Sequence, residues 1–121
     1  MEKTINQANY SFTKDDSKKK VRVDLNGFFG LEDIEQFLKD YESLKKSIDV
    51  KNTTLILNGK DLKAFPREAE GNLAELYKDY STFKKVYITT AQAVTKMQVQ
   101  RVLKTNNLES HFEFVADAES I

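Results

Sequence analysis

The stretch Thr53–Tyr80, "TTLILNGKDLKAFPREAEGNLAELYKDY", decides the fold. Its first seven residues are short, β-branched and apolar without strict alternation, as in a strand buried on both faces, and Gly59 ends that run. Its last part places Ala69, Leu73, Leu76, Tyr77 and Tyr80, with Phe83 just beyond, on one face of a helix. Between the two lies "KDLKAFPREAEGNL" (60–73), with the only proline and one of the four glycines of the chain. Pro66 suits the first helical position, where no amide hydrogen is missed. Strand, loop and helix together form the unit of α/β sheets, and functional groups sit in such loops. This loop holds no Ser, Thr, His or Cys.

Outward from this unit the pattern repeats. Upstream, "NYSFTKDDSKKKVRVDLNG" (9–27) reads as a β-hairpin. Tyr10 and Phe12, then Val21, Val23 and Leu25, alternate with polar residues, and Asp15, Asp16 and Ser17 favour the turn. Residues 27–48 turn into a helix whose Leu31, Ile34, Phe37, Leu38, Tyr41, Leu44 and Ile48 share a face. Its acidic first turns and its Lys45 and Lys46 complement the helix dipole. Phe28 and Phe29 are expected to pack over the strand-to-helix junction. Downstream, "KKVYITT" (84–90) is a strand, with Thr89 or Thr90 as a cap for the next helix. In that helix, over 91–107, the expected buried residues are Val94, Met97, Val102 and Leu103, and Asn106 or Asn107 suits its end. "HFEFVADAESI" (111–121) closes with a strand through Phe112, Phe114 and Val115 and a short helical tail. The order β-β-α-β-α-β-α-β predicts an α/β fold with one mixed sheet, its later strands parallel and joined by right-handed crossovers.

Composition narrows the chemistry. The 121 residues suit a single domain, 1–121, able to bury roughly two thirds of its unfolded surface. Hydrophobic residues are 40% and charged residues 31%, the balance of a soluble globular chain. Nineteen basic residues match nineteen acidic ones, without the positive excess of a general nucleic-acid binder. The absence of cysteine removes disulfides, thiolate catalysis and thiolate metal sites, and suits a reducing cytoplasm. The polar start "MEKTINQANYSF" has no apolar run of signal-peptide length, and no stretch has the ~20 apolar residues of a membrane span. The expected location is cytoplasmic, with no stable membrane insertion.

No catalytic constellation emerges. His111 stands alone and, without Cys or a second His, makes no zinc site; it is expected at a surface or strand edge. Glu68 and Glu70, two apart, diverge on a helix. The loop matches no phosphate-binding glycine pattern, although Arg67 and free amides at the helix start would tolerate an anion. Lys18–Lys20 read as a solvated hairpin rim beside Asp15 and Asp16. Tyr77 and Tyr80 are either a partner-facing pair or the border of a core-facing helix. Gly71, at a helix start, costs about 1 kcal/mol relative to Ala; close approach to the sheet or contact with a partner would each explain it.

With these residues in view, the chain resembles the STAS domains of bacterial anti-sigma-factor antagonists, roughly from Val21 onward. "LILNGKDL" stands for the family's third strand and its exit, "NLAELYKDY" for its second helix, and "NNLESHFEFVADAES" for its closing helix, strand and tail. In that family the loop between strand and helix carries Asp-Ser-Ser-Gly or a variant, whose hydroxyl is phosphorylated by the partner kinase. Here the motif is missing. Pro66, Arg67, Glu68 and Ala69 fill its positions, or, with Gly71 as its glycine, Ala69 and Glu70 fill the hydroxyl positions. No Ser or Thr occurs between Thr54 and Ser81.

The resemblance implies a non-catalytic, regulatory protein-interaction module that is not phosphorylated at the usual loop. It needs no cofactor and has an anti-sigma-factor-like or other protein partner. Phe65, Arg67, Glu68, Gly71 and Asn72 are the expected partner-binding residues. Phe65 either anchors the partner or turns inward to plug the sheet end. Glu68 either mimics a phosphoserine, which carries about −1.5 to −2 charge, or belongs to a divergent surface. The alternative is a carrier of a small apolar molecule or lipid between sheet and helices, which requires a cavity of several hundred cubic ångströms.

Overall fold

The computed structural model describes residues 8–63 and 65–120. The polar start over 1–7, Ala64 of the loop and Ile121 lie outside the described residues. Strand β1 (Asn9–Asp15) and β2 (Lys20–Gly27) form the expected hairpin, paired antiparallel from Asn9↔Asn26 to Asp15↔Lys20. The Asp15 carboxylate accepts from the Ser17 hydroxyl at 2.8 Å and the Lys18 amide at 3.2 Å, and Lys19 closes the turn at φ 53°. Helix α1 (Leu31–Lys45) follows, then β3 (Thr54–Leu62), α2 (Glu70–Tyr80), β4 (Lys85–Thr90), α3 (Ala93–Thr105) and β5 (Phe112–Phe114). The sheet order is β1-β2-β3-β4-β5, with β2 to β5 parallel.

Strand alternation sorts the sheet into two unlike faces. Val21, Val23 and Leu25 of β2, Leu55 and Leu57 of β3, Val86 and Ile88 of β4, and Phe112 of β5 join a single core. The same core takes Ile34, Phe37 and Tyr41 of α1, Leu73, Leu76, Tyr77 and Tyr80 of α2, and Val99, Val102 and Leu103 of α3. All three helices therefore cover one face. Tyr41 sits at the centre, its ring between Phe37, Tyr80 and Phe83. Its hydroxyl donates to Asp79 at 2.6 Å, and Lys45 also reaches that carboxylate at 2.8 Å. A buried phenol is kept because its polar end is satisfied. Burial, reinforced by the Asp79 hydrogen bond, raises its pKa.

The structure departs from the sequence reading in several places. Strand β3 does not end at Gly59 but runs to Leu62. The register against β2 shifts between Asp24 and Asn26, a bulge that lengthens the strand. Gly59 is required within it, since a Cβ there would lie 2.9 Å from the Thr89 carbonyl oxygen. Neither Thr89 nor Thr90 caps α3; both lie inside β4, and Gln92 holds the cap position without a side-chain bond. Phe29 is buried but Phe28 is 42% exposed. The inward face of α3 is Thr95, Gln98, Val99, Val102 and Leu103, whereas Val94 and Met97 are each 65% exposed.

Candidate functional site

In a parallel sheet the loops after each strand gather at the strands' carboxyl ends, the usual place of ligand and partner sites. At this end Gly27 leaves β2 at φ 84°, a left-handed conformation that suits glycine, and sends the chain through Phe28 and Phe29 into α1. The Gly30 amide donates to Asp33 at 2.9 Å, anchoring the helix start. Next to it lies the loop after β3. Pro66, at φ −65°, leads into a 3₁₀ turn over Arg67–Ala69 that runs on into α2. Proline thus precedes the helix by a full turn instead of occupying its first position.

Each expected partner-binding residue has a definite place. Phe65 is half-buried, and its ring lies 6.3 Å from that of Phe29, so it turns inward over the sheet end. Arg67 and Glu68 are exposed on the 3₁₀ turn. Gly71 is exposed in the first turn of α2, and a Cβ there would meet nothing within 4 Å. Close approach to the sheet does not explain this glycine. Asn72 is half-buried beside it. Tyr77 and Tyr80 are buried and belong to the core, which removes them as a partner-facing pair.

What holds the loop was not legible as a motif. Gln98 of α3 grips the backbone of Phe65 from both sides. The Phe65 amide donates to its Oε1 at 2.9 Å, and its Nε2 donates to the Phe65 carbonyl at 3.0 Å. The same Nε2 reaches Glu70 at 3.2 Å. Arg101, one turn along α3, pairs with Glu70 as well. The Arg101 hydrogen bond, then that of Gln98, holds the Glu70 carboxyl below its usual value of 4.5. Thr95 lies one turn nearer the start of α3, its hydroxyl 3.4 Å from the Leu62 carbonyl. A buried amide that makes three hydrogen bonds fixes loop, α2 and α3 as one surface.

Helical geometry then places the exposed apolar residues. Relative to Val94, Arg101 lies about 20° away around the axis and Met97 about 60° on the same side, at 3.6 residues per turn. Arg101 pairs with α2, so Val94 stands on the flank of α3 toward α2, whereas Met97, about 100° around the axis from Gln98, faces outward, away from the core. A helix template anchored on Val99, Val102 and Leu103 would have found them; anchoring it on Val94 turns the stripe by a residue.

His111 has a structural part. Its Nε2–H donates to the Phe83 carbonyl at 2.6 Å, tying the start of β5 to the connection between α2 and β4. Among the described residues, no three His, Cys, Asp or Glu side chains gather as a metal site, and no helix is long and apolar enough to cross a membrane.

No family model and no curated protein matches the chain by sequence. By structure it is similar to an uncharacterized protein of the DUF3478 family from Shewanella loihica PV-4, whose crystal structure has a SpoIIAA-like fold. The TM-score is 0.70 at 16% identity, over 99% of this chain and 94% of that one. The mixed five-stranded sheet, its three helices on one face and this likeness agree: the fold is SpoIIAA-like, that of STAS domains.

Proposed function

We propose that the chain is a non-catalytic, regulatory protein-interaction module of STAS-like type, acting in the cytoplasm. Its binding surface is the loop 65–72 with the exposed side of α3. The observation that carries this reading is the exposure of Val94 and Met97 on α3, the helix whose Gln98 holds the loop rigidly. Exposed apolar side chains rimmed by polar residues mark interaction sites. Here Val94 and Met97 supply the apolar centre, while Arg67, Glu68, Gly71 and Asn72 form the polar rim. Phe65 shapes the surface from beneath, because its ring is turned toward Phe29. The loop has no hydroxyl residue, so regulation by its phosphorylation is not part of the proposal. The partner is a protein with an apolar patch of its own, an anti-sigma-factor-like regulator among the candidates.

The test is affinity capture with the immobilised chain, followed by mass-spectrometric identification and a binding titration. Met97→Asp should abolish capture. Glu68→Ala and Glu68→Ser, at the rim, should each change affinity less than about fivefold. A strong response to both would instead favour Glu68 as a phosphoserine mimic. Unchanged capture by the Val94→Asp, Met97→Asp double variant would refute the surface.

A second reading, the apolar carrier, has one observation in its favour. Leu25, Phe29, Phe37, Phe65, Leu73 and Tyr77 border an apolar pocket between sheet and helices. Its volume is about 20 Å³, however, against the several hundred that a ligand needs. A carrier would have to move Phe65 and α1 aside. Native mass spectrometry showing a co-purified apolar molecule would support it.

A further inference from the structure

The face of the sheet without helices carries its own site. Arg22 of β2, Asn58 of β3 and Thr89 of β4 project from it, and the tail over 116–119 lies across it against β3 and β4. Beneath the tail is a cavity of about 510 Å³, within the range of small-molecule sites. Arg22, Lys60, Thr89 and Thr90 line it on the sheet side, and Asp117 and Glu119 on the tail side. Thr89 is only 5% exposed, yet its hydroxyl has no hydrogen-bond partner among the described residues, and neither has that of Thr90. Thr89 projects from this face, whereas Thr90, next along β4, turns to the helix side; buried hydroxyls are ordinarily paired, so the unpaired one of Thr89 points to a missing partner.

The charged groups indicate its kind. Arg22 donates from Nε to Asp24 at 3.0 Å, and Asn58 also donates to that carboxylate at 2.7 Å. This second carboxylate contact fixes the guanidinium in place. Its Nη1 reaches outward to Glu119 of the tail at 2.7 Å. The Glu119 side chain is 69% exposed, so it is a weakly held occupant. A carboxylate of the chain itself therefore occupies the guanidinium at the edge of a half-open cavity.

We propose that this cavity is a binding site for a small organic oxyanion, which displaces Glu119 from Arg22 and takes a hydrogen bond from Thr89. Lys60, at the rim, adds a second positive charge. Carboxylates and phosphates present the same acceptor oxygens to this set, and Arg22 can bind either. The tail then acts as a latch, closed by Glu119 and opened by the ligand. The site lies on the opposite face of the sheet from the helices and stands apart from the loop surface.

The experiment is amide NMR of the full chain titrated separately with succinate and with inorganic phosphate. Glu119→Gln should bind one of them saturably, with shifts centred on Asn58, Thr89 and Thr90, and about two- to fivefold more tightly than the unsubstituted chain, the range open to an exposed ion pair. Which anion binds identifies the headgroup. Adding Arg22→Gln should remove the response. Thr89→Val preserves volume and deletes the hydroxyl; it should fold at equal or higher stability and bind at least several-fold more weakly. No saturable response to either anion, binding that survives Arg22→Gln or Thr89→Val, or equal affinity with and without Glu119 would each overturn the proposal. None of these results bears on the Met97 surface.

Discussion

Glu70 shows how one side chain joins two helices. It begins α2, where a negative charge favours the helix dipole, and it accepts from Gln98 and Arg101 of α3. Its folded pKa is lowered, chiefly by Arg101. A lowered carboxyl contributes stability that is present above its unfolded value and lost as pH falls through the folded value. The relevant window opens near pH 4.5 and extends below it. Glu70→Gln keeps an acceptor for Gln98 but removes the charge. Because Arg101 is more than half exposed, the loss at pH 7 should be modest, about 0.5–1 kcal/mol. Urea midpoints measured from pH 7 to pH 3 should converge for the variant and the unsubstituted chain as the carboxyl protonates. A constant difference across that range would mean that Glu70 acts through packing, not charge.

Helix α3 is the element whose reading shifted, and it tests the assignment of its faces. Val94 is the second residue of the helix and exposed, so Val94→Asp should leave stability within about 0.5 kcal/mol, helped by the dipole. Val99 is 1% exposed; Val99→Asp buries an unpaired charge and should cost more than about 3 kcal/mol, or prevent folding. Thermal melts of the two variants decide it. The strands and the other two helices were legible in the main because their apolar residues keep period, although β3 runs past Gly59 to Leu62 and Leu31 at the start of α1 is exposed. Val21, Val23 and Leu25 alternate, and Leu73, Leu76, Tyr77 and Tyr80 fall on one face, as the core confirms. Helix α3 was not, because its inward face includes Thr95 and Gln98, polar residues whose burial depends on partners distant in sequence. Hydropathy reads Val94 and Met97 as better core candidates. The same cause hid the site. Position 60–73 was visible as the strand-to-helix loop, but its clamp from Gln98, 33 residues beyond Phe65, leaves no local pattern.

At the scale of the molecule, the consecutive strand order with all helices on one face leaves the other face of the sheet to be closed by something else. Two buried apolar residues, Ile56 and Ala118, stand outside the main core. Ile56 shares the register row of Arg22 and Tyr87, so it projects from the helix-free face, and Ala118 belongs to the tail that crosses that face. The molecule thus has one large core and, on the other side of its sheet, two buried apolar residues apart from it. Their loss should differ in kind. Ala118→Asp puts a charge at a buried position of the tail and should lift the tail, freeing Arg22 from Glu119 and uncovering Ile56. Since the tail makes few apolar contacts, the cost should be about 1 kcal/mol, with a single unfolding transition retained. By contrast, Leu73→Ala in the large core should cost about 2–5 kcal/mol. Hydrogen exchange distinguishes the two: Ala118→Asp should speed exchange in the tail while α1 and α2 remain as protected as before. Equal loss of protection in the helices would show that the tail supports the whole fold and is not a separable cover.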